Sequence, residues 1–249
     1  MPIAPYLPPT TPPDPRPLLT PTARIWLDAA AARIADRPTA IRALFPTARR
    51  SCGQAALDEH WTTDEAVRAA LLTALPLRGQ ALADEVAGLY RHGDPAEQRA
   101  ILRSLQLLPA ADQDPFRDLA LTLIREALRG NDTSVVEAAL GPYTAAHLPV
   151  GEYRQAVLKS VFLDIPLSRV TGLGMRTDRE LARMLADFAH ERIAAGREVP
   201  PDIWPLLRPY PDIADILAAR ARALAPTRPE ATTRALAALG AAAPIEEEA

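Results

Sequence analysis

Apolar positions recur at helical spacing through the middle of this chain. Val67, Ala70, Leu71, Ala74 and Leu75 make one stripe, and Ile101, Leu102, Leu105 and Leu108 another. This is the i, i+3, i+4 recurrence that turns one face of a helix toward a core. Ala, Leu, Arg and Glu dominate between the stripes, and all favour helix. Runs of Val, Ile or Thr with period-two alternation are few, so little or no sheet is expected. Helix starts are legible as well. Asp94-Pro95-Ala96-Glu97 offers a side-chain acceptor at the N-cap, proline at the first helical position, and a glutamate placed to close a capping box. Asp114-Pro115 repeats the cap and proline, and Thr177-Asp178-Arg179-Glu180 repeats the box. Asp94, Asp114 and Asp132 are spaced so that each helix plus turn takes about 20 residues, near half of a two-helix repeat. The expected fold is all-α: stacked antiparallel helices in an irregular, HEAT-like array.

The ends read differently. From Pro2 to Pro21 prolines recur every few residues, removing amide donors and apolar bulk, so residues 1–21 are expected to be an extended or disordered tail. Pro244-Ile245-Glu246-Glu247-Glu248-Ala249 reads as a solvated acidic tail. A single helical domain is expected over 22–243.

Composition narrows the function classes. With 249 residues, 48% hydrophobic and 24% charged, the chain has ordinary globular usage. The formal net charge of -3 argues against nucleic acid, because phosphate binding draws on a basic surface that releases counterions. Cys52 is the sole cysteine, so the chain can form no disulfide within itself and offers no second thiolate for zinc. The start lacks a basic, apolar leader, and no run approaches the roughly 18 apolar residues of a membrane span. A cytoplasmic protein without a transmembrane segment is therefore expected. Among 28 basic residues there is one lysine, Lys159. In a chain that otherwise uses arginine, that lysine is a candidate for chemistry.

Candidate chemistry concentrates late in the chain. On the helix expected after Thr177 and ending near Gly196, Leu181, Met184, Leu185, Phe188 and Ala195 form an apolar stripe with Arg192 in its middle. Such an arginine either extends its head to water, pairs with an acid, or clamps an anion at a pocket. Asp187, His190 and Glu191 share the adjoining flank at i, i+3 and i+4, with Arg183 one turn earlier. The plain reading is a surface salt-bridge ladder. The sharper one is an acid-base pair of His190 with Glu191 or Asp187. A metal site is not expected, because the order is not HExxH and zinc wants more His or Cys ligands.

Lys159 lies in a segment where Val157, Leu158, Val161, Phe162 and Ile165 form a broad apolar face, and it falls on the other side with Gln155. It is either an anion binder or lowered-pKa amine, or an ion-pair partner of Glu137, Glu152 or Asp187. The loop Pro166–Gly174 lacks the spacings of a phosphate loop, so its glycines are read as turn residues, from which Arg169 could still reach an anion.

Gln155–Phe162, Pro166–Leu173, Glu180–Arg192 with its Asp-x-x-His-Glu-Arg run, and Ala194–Arg197 together resemble the C-terminal signature of the EboA family. The resemblance reaches Trp204 and, upstream, Asn131, Glu137 and Tyr143. It departs at Ile193, Asp178 and Ser160, where tryptophan, asparagine and alanine are usual. Proteins similar to this are called metabolite traffic proteins. Their genes sit beside those for a prenyltransferase-like membrane protein, a TatD-like hydrolase, an isomerase-like barrel and a dehydroquinate-synthase-like enzyme. The resemblance implies a role in making or moving a secondary metabolite, and it adds Asn131, Glu137 and Tyr143 to the ligand-binding candidates.

The expected function is thus a helical accessory protein that binds a small metabolite, or a partner protein from the same gene cluster, without a cofactor. The alternative is an enzyme of secondary metabolism using Lys159, His190 and Glu191.

Overall fold

A computed structural model of the protein describes residues 14–108 and 113–242, with only the backbone of the last two. Residues 1–13 of the expected proline-rich tail and the acidic segment 244–249 lie outside the described residues. Among those described, every regular element is a helix, and the one β-type pairing is an isolated bridge between Ala56 and Thr62. None of the described helices is long and apolar enough to cross a membrane. The chain divides into two compact units, one running to Leu148 and the other from Pro149 onward.

The N-terminal unit holds α1 (Pro21–Asp36), α2 (Ile41–Leu44), α3 (Ala48–Cys52), α4 (Thr63–Thr73), α5 (Gly79–His92), α6 (Pro95–Ser104), α7 (Phe116–Arg129), α8 (Thr133–Ala139) and α9 (Pro142–His147). Alternate helices pack side by side: α4 on α6 and α6 on α8 form one row, α5 on α7 and α7 on α9 the other. The two apolar stripes read from the sequence supply the seam, with Val67, Leu71, Leu75, Ile101, Leu102, Leu105 and Leu108 all buried. Each such aliphatic side chain contributes about 2 kcal/mol of burial. Helix starts follow the cap chemistry in part. Asp94 accepts from the Glu97 amide, and Asp132 accepts from the Ser134 and Val135 amides. Asp114 does not cap: α7 begins one residue later, with Pro115 in the cap position, and Asp114 pairs with Arg117 instead.

The C-terminal unit holds α10 (Val150–Phe162), α11 (Leu173–Arg176), α12 (Arg179–Ala194), α13 (Trp204–Leu207), α14 (Pro211–Leu224) and α15 (Pro229–Ala242). α12 packs on α10 and α14, and α14 on α15. Along α12, Leu181, Leu185, Ala189 and Ile193 recur every fourth residue and are fully buried. The chain leaves this helix at Gly196, whose φ of 70° is the left-handed turn that glycine accepts without strain. Gly172, at φ 90°, makes the turn into α11, as expected of a glycine in that loop.

The start of α12 differs by one residue from the expected box. Asp178, not Thr177, is the cap; it accepts from the Leu181 amide at 2.9 Å, while Glu180 turns to Arg183. Asp178 also takes a forked contact from Arg154 of α10. Replacing Asp178 by Ala is expected to cost about 1 kcal/mol through the cap alone. The Arg154 hydrogen bond holds the Asp178 carboxyl below its usual range. Its contribution is therefore complete above the unfolded pKa of about 4 and is lost as pH falls through the lower folded value. Urea titrations of wild type and Asp178→Ala should differ most at neutral pH and converge in acid.

α10 also corrects an expectation. Its buried face is Tyr153, Ala156, Val157, Ser160 and Val161, whereas Phe162 is 61% exposed. Phe162 is the last helical residue of α10.

Candidate functional site

α12 presents two flanks to its surroundings. On the first, Arg183 reaches both Glu180 and Asp187 at 2.7 Å, and Arg220 of α14 meets the other oxygen of Asp187 at 2.7 Å. The i, i+4 ladder read from the sequence is present, and it ties two helices together. His190 sits one turn beyond Asp187, half-buried, with Nδ1 buried and lacking a hydrogen-bond partner. Burial foremost, then the Arg220 charge, push its pKa below the ordinary value, against the pull of Asp187 and Glu191. The burial thus favours the neutral ring. A proton-resonance titration of His190 should give a midpoint below about 6.5. Arg220→Gln should raise that midpoint and Asp187→Asn lower it further.

The second flank faces α10. Phe162 meets Phe188 edge to face, with centroids 4.8 Å apart and planes at 81°. Beside them opens a hollow of about 340 Å³ lined by Phe162, Phe188, Glu191, Arg192, Ala195 and Arg197. Arg192 resolves its position on an apolar stripe by extending: Nε donates to the Glu198 carbonyl at 2.7 Å, and the guanidinium carbon stands 5.8 Å from the Phe188 centroid. The backbone turn at Gly196 brings Arg197 back, its amide bonded to the Arg192 carbonyl at 2.8 Å.

Of the expected candidates, Glu191 and Arg192 line this hollow; Asp187 and His190 lie on the flank toward α14. Lys159 is half-buried on α10, one turn before Phe162, and Arg169 is half-buried in the single turn Leu167–Arg169. Asn131, Glu137 and Tyr143 belong to the N-terminal unit. Asn131 is exposed before the capping Asp132, and Tyr143 is buried with its ring 4.3 Å from that of His147. Glu137 is 3.5 Å from Arg103. Among the described residues no group of three or more His, Cys, Asp or Glu is arranged to hold a metal ion.

Glu137 is the outer end of a charged network that the sequence reading did not anticipate. Arg68 and Asp64, on successive turns of α4, are 1% and 0% exposed and meet at 2.6 Å. The Arg68 Nε donates to the Phe45 carbonyl at 3.3 Å, and its other arm points to Glu97 at 3.8 Å. Burial, then the nearby Asp94, raise the Glu97 pKa, with Arg68 acting against them. Glu65, 1% exposed at the side chain, takes Arg99 at 2.8 Å and Arg103 at 2.6 Å, and accepts from the Thr62 amide. Arg99 reaches Ser134 of α8. Every charge here is answered by another, which identifies the network as a lock across the α4–α6–α8 row. The overlooked signals were Thr62-x-x-Glu65, a capping box, and Arg68 between Val67 and Leu71 on a core stripe.

The three departures from the EboA signature are each accommodated. Ile193 is fully buried in the α12 core, Asp178 caps α12 and holds Arg154, and the buried Ser160 hydroxyl donates to the Val157 carbonyl at 2.7 Å. No curated protein and no solved structure matches this chain. The family model described as metabolite traffic protein EboA matches residues 46–208, a span that runs from the turn before α3 to the end of α13 and includes both the charged lock and the α12 hollow. With well over half of its length matched, the chain belongs to the EboA family.

Proposed function

We propose that this protein is a non-catalytic helical accessory factor of secondary metabolism. In this reading it acts in the cytoplasm and binds a small metabolite, or a protein of the same pathway, during metabolite synthesis or traffic. The observation that carries the proposal is the hollow beside the Phe162–Phe188 pair, walled by Glu191, Arg192 and Arg197 inside the family-matched span. A pocket that mixes apolar walls with a few polar groups is the usual form of a small-molecule site. The rows α4–α6–α8 and α5–α7–α9 are read here as HEAT-like stacking, a scaffold that suits docking of a partner protein. The test is mass spectrometry of small molecules that co-purify with the protein, together with capture of the neighbouring gene products. Absence of both would end the proposal.

A second reading, an enzyme using Lys159, His190 and Glu191, draws on one observation: His190 Nδ1 is buried without a hydrogen-bond partner, and the same burial lowers the ring's pKa, which favours the neutral form a general base requires. Lys159→Ala, His190→Ala and Glu191→Ala variants that fold and leave product levels unchanged would exclude it.

A further inference from the structure

We infer that the α12 hollow takes a small molecule with a flat apolar body and a single carboxylate. This rests on the proposal that the protein binds a metabolite, and it specifies the ligand's chemistry. Three features of the hollow point to that class.

The first is an aromatic wall without a cover. Phe162 is 61% exposed, yet its ring is held edge-on to the buried Phe188. A planar ligand body laid on Phe162 would remove apolar surface from water and gain offset or edge contacts with both rings.

The second is cationic charge left unanswered. Arg192 spends Nε on the Glu198 carbonyl, which fixes the plane of the guanidinium and leaves its two terminal nitrogens without an acid partner among the described residues. Arg197 has no acid partner among them either. Where arginines of this chain meet acids they form close pairs, as Arg154, Arg183 and Arg220 do; Arg192 and Arg197 instead face the hollow beside a single carboxylate, Glu191. A guanidinium anchored at Nε is arranged to donate from its two terminal nitrogens to both oxygens of a carboxylate.

The third is the count of charges. Two guanidiniums and the Glu191 carboxylate leave the lining with one net positive charge. A monoanion balances it. A phosphate dianion would meet repulsion from Glu191, whereas a hydroxyl or amine on a carboxylate ligand would find an acceptor there. The inference therefore selects carboxylate over phosphate.

Calorimetric titration of the full chain tests it with three probes on one ring system: naphthalene-2-carboxylate, 2-naphthalenemethanol and 2-naphthyl phosphate. The carboxylate is expected to bind at least about tenfold more tightly than either of the others. Arg197→Gln and Phe162→Ala should each weaken it by about tenfold. Both positions are exposed, so unchanged melting curves will show that folding is intact. Equal binding of the alcohol and the carboxylate, or a carboxylate affinity untouched by Arg197→Gln, overturns the inference. So does tighter binding of the phosphate. The broader proposal fails separately. If wild-type protein carries a co-purifying metabolite that lacks an anionic group, the ligand class is wrong and metabolite binding stands; if it carries none and binds no probe, the ligand class and metabolite binding are both wrong and only the docking of a partner protein is left of the broader proposal.

Discussion

Arg68→Met is expected to destabilise the protein by about 3–5 kcal/mol, the cost of breaking a buried ion pair by removing one partner. The reason lies in what is left behind. Asp64 is fully buried and loses its 2.6 Å contact, while Glu97 loses the charge that opposes the rise in its pKa. The Phe45 carbonyl also loses a donor. Adding Asp64→Asn to Arg68→Met should return a large part of the loss, because the uncompensated charge does more harm than the missing attraction. Urea midpoints of the single and double variants check this. A single variant within about 1 kcal/mol of wild type would mean that the α4–α6–α8 row is held by apolar packing and not by its charged lock.

The second large effect is expected at the hollow. Phe188 is 5% exposed and Phe162 is 61% exposed, although the two rings touch. Phe188→Ala should cost about 3–5 kcal/mol by opening a cavity against α10 and removing the ring beneath Arg192. Phe162→Ala should cost under about 1 kcal/mol, since most of its surface already meets water. The pair separates stability from function. If Phe162 serves a ligand, its truncation weakens binding with little change in melting, whereas Phe188→Ala weakens both. Thermal melts and titrations run on the same samples read the two effects apart.

Much of the architecture was legible because helix signals are local. The stripes Val67–Leu75 and Ile101–Leu108, the caps at Asp94 and Asp132, and the stop at Gly196 each depend on neighbours within a turn or two. Where a cap had competing uses, the sequence was ambiguous. Asp114 pairs with Arg117, and Asp178 outcompetes Thr177 because its carboxylate also answers Arg154 from another helix. The charged lock was hidden for a related reason. Glu65 looks like part of a solvated helix face until Arg99 and Arg103, 34 and 38 positions later in the chain, are known to hold it, and the second acid that Arg68 faces, Glu97, comes from another helix.

The site was read in part for the same physical reason. Arg192 stood out because a charge on an apolar stripe is a local anomaly, and extension of its head was one of the outcomes foreseen. Glu191 emerged with it from the same run. Arg197 did not, since only the left-handed turn at Gly196 returns it to the hollow. Phe162 was assigned to a buried face by periodicity, which carries no information about where a helix ends. Both residues became candidates only once the chain direction after α10 and α12 was known.

The most direct test of metabolite binding at the end of α12 is native mass spectrometry of gently purified protein, wild type beside the double variant Phe162→Ala, Arg197→Gln. The account predicts a small molecule retained by the wild type and lost from the folded variant. Identical spectra from the two proteins, whether both bare or both carrying the same species, would contradict it.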